Sequence, residues 1–155
     1  MLTTATVFAY LLALGERHPA LGRSELTYDG TPSGQQPYPL LLVEGDTQGQ
    51  DVFQSNVPTG LESVTVAVQV LTKPERADLR PGEVADLLRQ AKEWGQQLVE
   101  QLRLERPGQL LGVSWLSLPG NAGSALATGW RVELTLKLAK EVNRQAPAAF
   151  TPEEA

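Results

Sequence analysis

Cysteine is missing from this chain altogether, and histidine and methionine occur once each. Without cysteine there is no disulfide scaffold, no zinc knuckle and no thiol chemistry. With one histidine, any histidine-based triad or metal cluster has to be built around His18. Long apolar runs are lacking too. The run over residues 7–14 is far too short to span a bilayer. It has no basic stretch before it and no small-residue cleavage pattern after it, so no membrane partner is expected and the cytoplasm is the expected place of synthesis. Basic residues are scarce: 13 Lys and Arg against 18 Asp and Glu give a net charge of -5 and a pI near 4.9. A mildly acidic chain with no basic cluster or aromatic ladder gains little from phosphate electrostatics, so sequence-specific nucleic-acid binding is not expected.

What remains is the composition of a folded protein: 155 residues, 41% apolar and 20% charged, enough for one core. Thr3 or Thr4 can cap a first helix running to about Leu14, with Val7, Tyr10, Leu11 and Leu14 on one stripe. Gly15 then reads as its stop, followed by the His18-Pro19 step. Residues 22–37 turn to Ser, Gly, Gln and Pro, with a short extended piece around 26–28. Tyr38-Pro39-Leu40-Leu41-Leu42-Val43 reads as a buried strand opened by proline. Residues 45–60, rich in Gly, Gln, Asp and Ser, read as a long loop, the kind that is often functional.

Over 61–71, Val64, Val66, Val68 and Val70 alternate with Ser63, Thr65, Ala67 and Gln69, a half-buried strand. Residues 81–104 read as the main helix, with Pro81 in its first turn and Pro107-Gly108 beyond its end. Leu111, Val113 and Trp115 mark one further strand. Trp130, Val132, Leu134, Leu136 and Leu138 mark the last. This order, α-β-β-α-β-β, predicts an α+β domain over residues 1–145 and a loose tail over 146–155. Its antiparallel sheet would have about four strands, carrying the N-terminal helix and the long central helix.

No constellation in this order does chemistry. His18, beside Glu16 and Arg17, reads as a surface histidine at a helix end. Gly120-Asn121-Ala122-Gly123-Ser124 lacks the Lys-Ser/Thr of a phosphate loop and leads into a strand, so it reads as a hairpin loop. Asp46 and Asp51 read as solvated loop acids; Asp78, Glu83 and Asp86 as helix-start charges. Trp94, Trp115 and Trp130 all fall on apolar faces and read as core. The expectation is a protein that is not an enzyme, with no catalytic residue, cofactor or metal site, acting through its surfaces.

The order of elements, with Tyr38-Pro39-Leu40 opening a strand, the valine strand over 64–70, the acidic-started helix from Glu83 and Gly129-Trp130-Arg131-Val132-Glu133-Leu134 opening the final strand, resembles a known family over most of the chain. These are the tail terminator (tail completion) proteins of long-tailed phages, particularly the diverged kind in phages and prophages of Bacteroidetes-type bacteria. Where that pattern carries an acidic residue before Gly-Trp, this chain has Leu126-Ala127-Thr128. The resemblance implies a virion structural protein of the tail neck, assembled in the host cytoplasm. It would form a ring, typically a hexamer, that caps the tail tube, stops its polymerisation and offers a head-docking surface. Its partners would be copies of itself, the tail tube protein and a head-completion or connector protein, and DNA could pass through the ring. The contact residues expected are Asp46, Gln50, Asp51, Phe53 and Gln54 in the loop, with Phe150, Glu153 and Glu154 in the tail. Competing readings are a head-tail adaptor or stopper, the cap of a phage-derived injection machine, and a small ligand-binding α+β module.

Overall fold

The structure, a computed structural model, describes residues 1–73, 80–119 and 127–140, the side chain of Pro58 excepted. In chain order the elements are α1 (Val7–Arg17), β1 (Ser24–Thr27), β2 (Leu40–Gln54), β3 (Val57–Thr72), α2 (Pro81–Glu105), β4 (Leu110–Leu118) and β5 (Thr128–Ala139). They form one sheet of five strands in the order β1-β2-β3-β5-β4. The class is α+β, as the sequence predicts. The sheet differs from the expected four antiparallel strands, because β1 adds a fifth and pairs parallel to β2, from Ser24↔Leu41 to Thr27↔Glu44. The short extended piece expected around 26–28 overlaps this edge strand, but four residues are too few to show an alternating pattern, so its pairing and direction are visible only through its partner.

The alternating residues of the sheet bury one face under both helices. Val64, Val66, Val68 and Val70 of β3 lie with Leu41 and Val43 of β2 and with Val132, Leu134, Leu136 and Leu138 of β5. Val7, Leu11 and Leu14 of α1 and Ala91, Leu98 and Leu102 of α2 close this core from above. Each such fully buried aliphatic side chain contributes about 1.5–3 kcal/mol relative to exposure. The three tryptophans are only partly buried and pack on the margin of this cluster. Trp115 and Trp130 meet edge to face with centroids 6.3 Å apart, and the Lys92 ammonium lies 4.7 Å from the Trp130 ring centre.

Two glycines let the helices approach the sheet. A Cβ at Gly95 would lie 2.8 Å from the Trp115 ring, so α2 can cross there only on a glycine. Gly15 does not stop α1 as expected, since the helix continues to Arg17. A Cβ on Gly15 would meet Leu41 Cδ2 at 2.8 Å, so this glycine serves a close contact with β2. His18 is likewise not a surface residue: it is 7% exposed. Its Nδ1 accepts the backbone N–H groups of Ala20 and Leu21, which leaves the proton on Nε2, 2.7 Å from Gln97 Oε1.

The largest difference lies at residues 45–60, which form no loop. β2 runs on to Gln54, and β3 begins at Val57, so the two make one long hairpin. Gly, Gln and Asp have weak strand propensity, but that propensity yields to pairing with a strong neighbouring strand. Here Thr47, Gln48, Gly49 and Gln50 are laid against Val66, Thr65, Val64 and Ser63. Ser55 and Asn56 both take positive φ (51° and 65°), the two-residue turn whose twist suits a hairpin.

Where α1 meets the end of α2, Glu105 is a hub. It accepts two hydrogen bonds from Arg17, each 2.7 Å, one from the Tyr10 hydroxyl at 2.6 Å and one from Gln101 at 2.8 Å. Arg17, then Tyr10 and Gln101, hold its carboxyl well below the ordinary 4.5. Burial first, then the Glu105 carboxylate, push the Tyr10 hydroxyl up to about 12. A carboxyl with a depressed folded pKa contributes stability that is complete above its unfolded pKa and is lost as pH falls through the folded one. The melting temperature is therefore expected to drop as pH is lowered below 4.5. Glu105→Gln should show a smaller acid drop than the parent protein. Equal acid limbs in a thermal melt series would remove Glu105 as the cause.

Candidate functional site

The hairpin becomes a free arm because of what happens at its base. β1 ends at its pairing with Glu44, and among the described residues no strand pairs with the outer edge of residues 46–54. The register between β2 and β3 shifts between Val43 and Thr47. At that irregularity Glu44 turns to the helix-free face and is fixed by Arg131 of β5, with Nε–Oε2 at 2.9 Å and Nη2–Oε1 at 3.2 Å. Arg131 also binds Glu133 at 2.6 Å, and Gln69 Nε2 joins Glu44 at 3.1 Å while donating to the Gly30 carbonyl at 3.0 Å. The Glu44 carboxylate, then Glu133, raise the pKa of the Arg131 guanidinium. A charged network satisfied on every side thus locks the point from which the arm departs.

Beyond it the arm is polar on both faces and solvated. Asp46, Gln50, Asp51, Phe53 and Gln54 are all exposed and all on this one strand, so the structure brings together five of the residues singled out from the sequence. It also separates them: Gln50 pairs with Ser63 and Asp51 with Glu62, so successive side chains leave opposite faces. Asp51 is held by Lys140 at 2.5 Å, and the Lys140 backbone N–H donates to the Gly60 carbonyl at 2.9 Å. Phe150, Glu153 and Glu154 lie outside the described residues, as do the tail over 146–155, Asp78 and the Gly120–Ser124 segment.

Sequence reasoning missed several partners of this surface. Val57, 62% exposed, pairs with Gln54 across the tip, and Phe53, 57% exposed, pairs with Pro58, so the tip of a polar arm carries one exposed apolar side chain on each face. The Ser55-Asn56 dipeptide between Gln54 and Val57 was the one available signal of a hairpin. At the other margin of the sheet, β4 is the second edge that is open among the described residues. Its nine residues, Leu110–Leu118, contain no charge and no proline, and Leu111 and Leu116 are 52% and 58% exposed.

No family model matches the chain, and no curated protein is similar to it at a significant level. The site's chemistry is therefore read from its own geometry.

A groove of about 410 Å³ runs between the end of α1 and α2, lined by Leu14, Arg17, His18, Pro19, Gln97 and Gln101. Its central polar group, His18, already has every ring nitrogen in use by backbone N–H groups and Gln97, which leaves it nothing to offer a ligand. Among the described residues no group of three or more His, Asp or Glu could hold a metal ion. No described helix is long and apolar enough to cross a membrane. Among the described residues, unused hydrogen-bonding capacity lies along two backbone edges, the outer edge of the arm and that of β4.

Proposed function

We propose that this protein is a structural assembly subunit, the tail terminator of a long-tailed phage. In this reading copies of the chain close into a ring, the ring caps the tail tube and halts its growth, and it does so without catalysis. The observation that carries this reading is the solvated arm with Phe53 and Val57 at its tip. An exposed aromatic and a β-branched residue on a two-strand projection bury little within their own chain. They suit an anchor that inserts into a neighbouring subunit or the tube end, while the rest of the arm supplies main-chain hydrogen bonds. Asp46, Gln50 and Gln54 form the polar rim of that contact. The His18 ring, both of whose nitrogens are already bonded within the chain, lends no support to the ligand-binding reading.

Negative-stain microscopy and sedimentation of the purified protein test this directly. Rings with a central hole are expected, and they should bind the growing end of tail tubes polymerised from the tube protein of the same genome. Phe53→Asp with Val57→Asp should leave the melting temperature within the small range of surface changes, about 0.5 kcal/mol, and abolish the ring. A protein that stays monomeric at its highest soluble concentration and binds no tube end overturns the proposal.

A further inference from the structure

β4 breaks the rule that sheet edges are protected. Edge strands are usually short, charged, bulged or interrupted by proline, because an open, apolar edge recruits another strand. Among the described residues β4 has none of these protections except one irregularity between Leu110 and Gly112. The arm edge carries Asp46 and Asp51, so two arms paired with each other would gather four carboxylates on one short ribbon. An uncharged β4 meets the arm without that cost.

We infer that β4 of one subunit receives the arm, residues 46–54, of the next, so that the sheet continues from copy to copy. This rests on the ring reading above and names its interface. Three features of the fold support it. β4 is antiparallel to β5 and β5 to β3, while β2 is antiparallel to β3, so β2 and β4 run in opposite senses. A second copy in the same orientation therefore adds its arm antiparallel to β4, with the helices of both copies on one side.

The register is bounded as well. Centring the arm on β4 sets Gln50 opposite Ser114 and brings exposed Phe53 beside exposed Leu111. Gln50 pairs with Ser63, and Ser114 with Glu133; the neighbours Val64, Val132 and Leu134 point into the core under the helices, so Gln50 and Ser114 share the helix-free face. β1, ending at Glu44, blocks further sliding, and the Tyr28 ring lies over Gly45 at that stop.

The two edges are also offset in the way a closed ring needs. Leu110 and Leu118 lie, through β5, level with Val64 and Leu71 of β3, whereas Gln54 and Thr47 lie level with Val57 and Val66. The midpoints differ by about six residues, roughly 20 Å, while one repeat of the continued sheet is the four strands β2, β3, β5 and β4, roughly 19 Å wide. Joining the copies at one height then tilts the strands by about 45°, the upper end of the tilt of closed barrels.

The absence of cysteine makes the test clean. Gln50→Cys and Ser114→Cys are prepared singly, mixed and mildly oxidised, at concentrations where sedimentation reports the oligomer. A disulfide between the two variants is expected, lost when Leu116→Lys is placed on the Ser114→Cys chain. Bonding of Ser114→Cys only to itself would show a twofold β4 pair and overturn the inference. Rings that form without the mixed cross-link remove this interface and keep the ring. Mixed cross-links in open filaments keep the interface and remove the ring. A strictly monomeric protein without cross-links overturns both.

Discussion

Gly129→Ala is expected to cost about 3 kcal/mol, the upper end of overpacking penalties. A Cβ built on Gly129 runs into the Val70 carbonyl oxygen and lies 2.8 Å from its carbonyl carbon and 3.1 Å from Leu71 Cα. These are backbone atoms and cannot rotate away as a side chain can. Gly129 is buried in β5, with Leu71 of β3 on one side and Leu118 of β4 on the other, so relief demands that two strand pairings open together. Against a typical total stability of about 5–15 kcal/mol, that loss is large enough to leave an appreciable unfolded fraction. Gly82→Ala is the control. Nothing lies within 4 Å of a Cβ there, and alanine in a helix is favoured by up to about 1 kcal/mol. Urea unfolding followed by circular dichroism should move the two midpoints in opposite directions. A Gly129→Ala midpoint equal to that of the parent would refute the close approach.

Leu41→Ala is expected to cost about 2–5 kcal/mol, with Leu41→Met below about 1.5 kcal/mol. Leu41 is 1% exposed and lies where three elements meet: paired with Val70 of β3, beside Ser24 of β1 and pressed against Gly15 of α1. Truncation leaves a hole that α1 cannot fill, because the facing position has no side chain. Gly15→Ala alone should also destabilise, since its Cβ would meet Leu41 Cδ2 at 2.8 Å. In the double variant that clash with Cδ2 is gone, so the combined loss should fall short of the sum. Additive losses in a double-mutant cycle would show that the contact with Cδ2 carries none of the Gly15→Ala penalty and leave it to the Leu41 Cβ at 2.9 Å and the Ser24 Cβ at 3.2 Å.

Much of the fold was legible in the residues. The valine alternation from Val64 to Val70 and the apolar alternation ending at Leu138 are signals of period two that survive because one face is buried and the other is not. The central helix was equally plain, from Pro81 to the residue beyond Leu104. The arm was not legible, for the same reason read in reverse. Solvated on both faces, residues 46–54 carry no alternation, and their composition alone favours a loop. Only the partner strand, offered by Val66 to Leu61 on the other limb, makes them a strand.

The candidate site divides in the same way. Asp46, Gln50, Asp51, Phe53 and Gln54 were found from composition, because an aromatic in a polar stretch is visible without coordinates. Leu111 reads with Val113 and Trp115 as one apolar face, yet it is exposed, as is Leu116. Which strand becomes an edge is decided by sheet order, and no local pattern encodes it.

The sequence by itself determined the two helices and the strands over 64–70, 111–115 and 130–138, the side of the sheet that is buried and the lack of cysteine chemistry. These follow from residue identity and from periods of two and 3.6 along the chain. Tertiary structure alone decided the parallel pairing of β1, the burial of His18, the need for glycine at positions 15, 95 and 129, and the two open edges. Each of these depends on atoms far apart in sequence coming within van der Waals or hydrogen-bonding distance, and such proximity exists only once the chain has folded.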